Sequence, residues 1–417
     1  MPSAIFPASY VRFLQRMDAL RSAGVLLGLD RVRKALALLG NPERGINFVQ
    51  IAGTNGKGST CAMLESILRA AGLKTALFTS PHLLRFTERL KFDGAEVDPL
   101  LLDAALDRVL ATGVPLTYFE AATLVSVCLI ADRGVDVAVM ETGLGGRLDA
   151  VTALPAMATA ITSIGADHLE ILGPTLKDVA REKASIARPG IPLFLPALPL
   201  ELDEVVQSVA FDASAPTSLV SMPIAGSALG GAHQQMNAAM ALELARFVMG
   251  AQGKVLSSRA VDGGLAKVFW PGRLEMVEGV LLDCAHNPQG ALALAQALSK
   301  RSERPRVLVL SVVSGKDVAG FAEGVFPEVE HVVLTQCSSD RALTVKELVA
   351  LLPPHASVTE AADPTLALPA AQRLAHPGGL VIVAGSIFLV GQVRAQLLGH
   401  AGDPVPTSDP VARPNAG

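Results

Sequence analysis

Short apolar runs rich in Val, Ile and Ala alternate with stretches of helical period along most of the chain. The runs are continuous rather than alternating, as expected of strands covered on both faces in a parallel sheet. Strands are predicted at Phe48–Ala52, Thr75–Thr79, Val135–Met140, Ala158–Ile164 and Ile191–Leu195, then at Val280–Asp283, Arg306–Val312, His331–Thr335 and Leu380–Ala384. Between them, helices are predicted at Cys61–Ala71, Pro99–Leu110, Ala121–Asp132, Leu176–Ala187, Asn237–Met249, Pro288–Leu298 and Val345–Leu352. This alternation predicts an α/β protein of two doubly wound domains. The expected arrangement is an N-terminal phosphate-loop ATPase-like domain over 1–270, a smaller Rossmann-like domain over 271–398 and a disordered Pro- and Asp-rich tail over 399–417. The Trp270-Pro271-Gly272-Arg273 turn marks the predicted boundary.

Composition sharpens this picture. With 417 residues, two cores are expected. Half the residues are apolar and 18% charged, yet the longest uncharged stretches, Ala213–Ala232 and Pro377–Val393, are broken by Pro, Gly and Ser. Neither has the roughly 20 continuous apolar residues of a membrane span. A net charge of −4 without a basic cluster argues against nucleic acid. The first residues, MPSAIFPASYVRFL, show no signal peptide pattern, and four scattered cysteines show no metal spacing. A cytoplasmic, monomeric enzyme with reduced thiols is expected.

The candidate chemistry begins at residues 53–60, Gly53-Thr54-Asn55-Gly56-Lys57-Gly58-Ser59-Thr60, between a predicted strand and helix. Glycines allow a tight turn whose N–H groups surround phosphate oxygens, Lys57 adds a point charge, and Ser59 or Thr60 offers a hydroxyl to Mg²⁺. The spacing is shorter than in the general phosphate loop, and Gly58 separates the lysine from the hydroxyls. A plain glycine-rich turn is the bland alternative, disfavoured because strand, loop, lysine and helix agree. Glu141 and His168 fall at the ends of predicted strands, where open α/β sheets bind ligands. Read alone, each would more often be a solvated charge or a capping histidine, and Lys183 a surface lysine.

GTNGK resembles the ATP loop of the Mur ligase superfamily, and GTNGKGST is similar to its dihydrofolate synthase/folylpolyglutamate synthase branch. The likeness runs over roughly residues 10–395, through Ser80-Pro81-His82-Leu83, Phe86-Thr87-Glu88-Arg89, Thr117-Tyr118-Phe119-Glu120 and Glu141-Thr142-Gly143-Leu144-Gly145-Gly146-Arg147-Leu148-Asp149-Ala150. It continues through Thr162–His168, Arg181-Glu182-Lys183-Ala184, Pro271-Gly272-Arg273 and Asp283-Cys284-Ala285-His286-Asn287-Pro288.

The resemblance implies an ATP-dependent ligase that joins L-glutamate to dihydropteroate or reduced folates. It implies ATP contacts from Thr54 to Thr60, Asn237, Arg273 and Asp283. Two Mg²⁺ ions would be held by Ser59, Ser80, Glu141, His168 and a carbamylated Lys183. Catalysis would involve Lys57, Lys183 and His286, the last placed to contact nucleotide or glutamate. The pterin would meet Leu27, Gly28, Leu29, Asp30, Thr117, Tyr118, Phe119, Glu120, Leu148, Asp149 and Ala150. Glu120 reads equally as a first-turn helix residue, and Asp149 as a turn cap. The chain departs from the family pattern at Leu27, Val151-Thr152 and Leu169-Glu170, all bearing on the pterin side. Rival readings are a peptidoglycan-precursor ligase, for which Lys57 stands too near the start, and an ATP-gated switch, which would not need Glu141, His168 and Lys183. Within the family, a monofunctional folylpolyglutamate synthase is the alternative to a bifunctional enzyme.

Overall fold

The computed structural model describes residues 6–24, 26–353, 357–405 and 409. Among these, residues 6–228, 235–268, 403–405 and 409 belong to an N-terminal unit, and 229–234 with 269–402 to a C-terminal unit. The Trp270-Pro271-Gly272-Arg273 turn predicts a single crossing at residue 270. Here residues 229–234 also go with the second unit.

The N-terminal sheet has eight strands: β1 Phe48–Ala52, β2 Thr75–Phe78, β3 Leu90–Phe92, β4 Ala95–Glu96, β5 Val137–Glu141, β6 Ala156–Ile161, β7 Leu193–Pro196 and β8 Thr217–Val220. Their order is β4-β3-β2-β5-β1-β6-β7-β8, parallel from β2 to β8. Strands β1, β2 and β5 are buried at every residue, which explains their largely apolar sequences. One core packs Phe13, Leu14, Leu106, Val125 and Tyr118 on Phe78 and Met140, and another packs Val179, Ala180 and Val206 beside Ile161 and Leu193. The chain leaves β1 toward β2, returns to β5, and crosses to β6 on the other side of β1. Loops after β1, β5 and β6 therefore gather at the carboxyl ends of the central strands, the usual ligand position in such sheets.

The C-terminal sheet contains β9 Glu275–Val277, β10 Val280–Leu282, β11 Arg306–Leu310, β12 His331–Leu334, β13 Val358–Glu360 and β14 Leu380–Ala384, ordered β13-β12-β11-β14-β10-β9. Only β9 is antiparallel, pairing with β10 through the Glu278-Gly279 turn.

Elements absent from the hydrophobic reading are mostly short or mixed in character. The edge strand Thr217–Val220 is largely exposed, and β3 and β4 have three and two residues. The helix Pro364–Ala375 carries an internal Pro369, and Leu200–Asp212 holds four acids. Within the predicted tail, two described residues are anchored. Asp403 accepts hydrogen bonds from Tyr10 Oη (2.7 Å) and Phe86 N (2.8 Å), and Asp409 pairs with Arg89. Polar composition alone concealed these anchors, while residues 406–408 and 410–417 lie outside the described residues. No described helix is long and apolar enough to cross a membrane.

Candidate active site

Gly53–Gly56 turn the chain from β1 into the helix Lys57–Ala70, so Lys57 is the first helical residue, four earlier than the apolar period suggested. Gly53 has φ 149° and Gly56 φ 85°. A Cβ on Gly53 would lie 2.0 Å from Thr162 Oγ1, and one on Gly56 2.5 Å from Asn237 Oδ1. Only glycine permits both the left-handed backbone and this approach. The segment after β6 braces the loop. Thr54 N donates to Ser163 O (2.9 Å), Asn55 N to Ser163 Oγ (2.9 Å), and Thr162 Oγ1 to Asn55 O (2.6 Å). The helix's first turn lacks intrahelical acceptors for its N–H groups, and its dipole favours an anion there.

Two lysines converge beneath the loop. Lys57 Nζ donates to Gly53 O at 3.1 Å, and Lys183 Nζ donates to the same oxygen at 2.9 Å. Lys183 comes from the helix Leu176–Ala184, started by a Thr175–Asp178 capping box, and is only 4% exposed. Burial first, then the charge of Lys57, pulls its pKa from 10.5 down to about 7, against the attraction of Asp167, Asp149 and Glu182. A surface lysine is thereby excluded. A large share of this amine is neutral at neutral pH.

Glu141 closes β5, and its Oε2 accepts the Ser80 N–H at 3.0 Å, joining two of the candidate metal ligands. His168 adopts φ 54° at the start of Leu169–Leu172, with its ring nitrogens 3.8 Å from Asp167 and 3.7 Å from Glu170. Among the described residues no three His, Cys, Asp or Glu side chains cluster as a ready cage. The fit to Mg²⁺ lies instead in hard oxygen donors. Thr60 Oγ1, buried in the first turn after the loop, has no hydrogen-bond partner among the described residues, as a hydroxyl that serves a bound group would.

The expected pterin residues are partly assembled. Gly28 N donates to Leu148 O at 3.4 Å, and the Phe119 ring packs where a Gly143 Cβ would sit. Asp149 Oδ2 accepts Leu144 N (2.9 Å) and Oδ1 accepts Val151 N (3.0 Å), so the carboxylate caps a turn. Its burial pushes the carboxyl up to about 6 against these bonds. Glu120 has a local task as well. It accepts the Thr117 N–H at 2.8 Å, completing a capping box, and pairs with Arg31 at 2.7 Å. Asp30 stands in solvent 4.0 Å from Arg33, apart from the assembled group. The sequence motifs include Thr162 and Ser163 but give them no role, and they do not include Arg31. The spacing of Arg31 and Glu120, 89 residues apart, gives no local signal.

Within the C-terminal unit, Arg273, Asp283 and His286 come together after β10. Asp283 accepts Leu274 N (2.9 Å) and Ala285 N (2.8 Å), Arg273 Nη1 donates to Gly272 O (3.3 Å), and burial pushes the Cys284 thiol up to about 12. His286 Nδ1 lies 2.9 Å from Cys284 O.

This architecture, with a phosphate loop on a parallel sheet followed by a second α/β unit, is that of the Mur ligases. The Mur ligase middle domain matches residues 51–190, and the Mur ligase, glutamate ligase domain matches residues 272–387. The Escherichia coli dihydrofolate synthase/folylpolyglutamate synthase is 33% identical over 94% of this chain and 96% of its own. E. coli FolC in complex with DHPP and ADP superposes with a TM-score of 0.86 at 31% identity, covering 96% of this chain and 99% of that one. A bifunctional folylpolyglutamate synthase/dihydrofolate synthase with Mn, AMPPNP and L-glutamate bound gives 0.83 at 30% identity, covering 95% and 99%. The chain spans about half the length of other curated relatives that it matches. It belongs to the dihydrofolate synthase/folylpolyglutamate synthase family.

Proposed function

We propose that this chain is an ATP-dependent ligase that joins L-glutamate to dihydropteroate and extends reduced folates with further glutamates. The observation that carries this reading is the convergence of Lys57 and the buried Lys183 on the Gly53 carbonyl under a phosphate loop. A carboxylate oxygen of the pteroate or folate attacks the γ-phosphorus, the bond to ADP breaks, and an acyl phosphate forms. The amine nitrogen of glutamate then attacks the acyl carbon, phosphate departs with the bonding pair, and the nitrogen loses a proton. Lys57 and Arg273 offer positive charge to the phosphates, and Thr54–Thr60 wrap them with backbone N–H groups. Asn237 and Asp283 are assigned to adenine and ribose, and His286 to nucleotide or glutamate.

Ser59, Ser80, Glu141, His168 and a carbamylated Lys183 are the proposed holders of Mg²⁺, which when bound offsets charge on the transferring phosphoryl group. Carbamylation needs an uncharged amine, and the burial of Lys183 supplies one. Leu27–Asp30, Thr117–Glu120 and Leu148–Ala150 are assigned to the pterin. Four buried free cysteines support a reducing, cytoplasmic setting. We assign the chain as a monomer acting on small molecules, not on nucleic acid or membranes. The test is ADP release with dihydropteroate or tetrahydrofolate, each with and without L-glutamate. Glutamate-dependent release with both is expected. Turnover of tetrahydrofolate alone would leave a monofunctional folylpolyglutamate synthase, and none with either would refute the ligase reading.

A further inference from the structure

Arg89 closes the segment after Ser80 and has a fully buried side chain. Its Nε donates to His82 Nδ1 at 2.8 Å, and its guanidinium stands 5.6 Å from the Phe86 ring centroid and 5.4 Å from that of Tyr118. Its backbone oxygen accepts Thr79 N at 2.9 Å, one residue before the Ser80 N–H that binds Glu141. A buried guanidinium is costly unless an anion meets it. Here the anion comes from a residue 320 positions along the chain. Asp409 offers both oxygens to the fork, Oδ1 to Nη1 at 3.2 Å and Oδ2 to Nη2 at 2.9 Å, while one third of its own side chain stays in solvent.

Glu141, at the end of β5, also acts on this charge, while the carboxylate bonded to the fork is that of Asp409, far along the chain. Earlier in the chain, residues 403 and 405 are held firmly. Asp403 is bonded to Tyr10 and Phe86, and Val405 packs on the hydrophobic core. A planar fork meeting two carboxylate oxygens, with aromatic rings at its side, is the geometry by which arginine selects a carboxylate. We propose that Arg89 is a carboxylate-binding site of the N-terminal unit, and that Asp409 is an internal ligand filling it in competition with a substrate carboxylate. The identity of that competitor rests on the ligase reading, in which both L-glutamate and the folate carry carboxylates. The site itself does not.

The test replaces the internal ligand without altering its size. Asp409→Asn should lower KM for one carboxylate substrate about tenfold, the change expected if docking of the tail is favoured by about 1.4 kcal/mol, with kcat little altered. A fall in KM for L-glutamate assigns the site to the amino acid, and a fall for the pteroate or folate assigns it to that substrate. Unchanged KM for both in an active enzyme overturns the proposal. A second readout requires no turnover. Glutarate, a dicarboxylate without an amine, should raise the melting temperature of Asp409→Asn at about tenfold lower concentration than that of the wild type. Adding Arg89→Gln should abolish the response. Equal glutarate midpoints in wild type and Asp409→Asn overturn the proposal even if no ligase activity is found.

Discussion

Replacing Lys183 by Met tests the electrostatic heart of the site. The folded-state pKa of this amine lies near 7 and its ordinary value is 10.5. Below pH 7 both folded and unfolded chains carry the ammonium, so the native state bears the whole cost of burying it. Between 7 and 10.5 the unfolded chain binds more protons, so stability rises with pH. Above 10.5 the contribution is gone. The displacement corresponds to roughly 5 kcal/mol at most. Met keeps the length and removes the charge, but forfeits the bond to Gly53 O, worth about 1 kcal/mol while Lys57 still serves that oxygen. In CO₂-free buffer, Lys183→Met should therefore be more stable than wild type by roughly 3–4 kcal/mol at pH 6 and slightly less stable above pH 10. Urea denaturation followed by circular dichroism at pH 6, 8 and 10 measures the crossing. Bicarbonate at pH 8 should stabilise the wild type and leave the variant unmoved, since only the amine can form a carbamate. A stability difference that stays constant from pH 6 to 10 would refute the buried-ammonium reasoning and remove Lys183 as a carbamate candidate.

Other substitutions separate chemistry from scaffolding. Lys57→Ala should abolish glutamate-dependent ADP release with an unchanged circular dichroism spectrum, and near-normal turnover would sink the phosphate-loop assignment. Asp149→Ala should cost about 1–3 kcal/mol by freeing the N–H groups of Leu144 and Val151. It should also reduce kcat/KM for dihydropteroate ten- to a hundredfold, roughly 1.4–2.8 kcal/mol, more than for tetrahydrofolate. Equal losses for the two substrates would reduce Asp149 to a turn cap. Glu120→Ala should lower stability by roughly 2 kcal/mol through the lost capping box and Arg31 pair, read by thermal melting. An unchanged melting temperature would contradict that structural role.

The phosphate loop was legible in the sequence because its requirements are local. Gly53 and Gly56 must turn the chain, Lys57 must open a helix, and an apolar strand must precede them, all within a dozen residues. The central strands were legible because burial on both faces leaves an apolar run, as in the four residues before Glu141 in β5. Lys183 was different. An Arg-Glu-Lys run looks like solvated surface, and only resemblance to a family singled it out. The tertiary structure decides its chemistry, because the Lys57 charge and the Gly53 carbonyl that act on it lie some 130 residues away. Asp149 and Glu120 likewise matched motifs, but the backbone N–H groups and the Arg31 charge that occupy them became visible only in space. The described residues of the tail show the same limit. Composition reports how little apolar surface residues 399–417 can bury, whereas Asp403 and Asp409 are held by hydrogen bonds to Tyr10 and a buried Arg89 that the fold brings within reach. Sequence determines what depends on neighbours along the chain, and tertiary structure decides which charges meet and how much water stands between them.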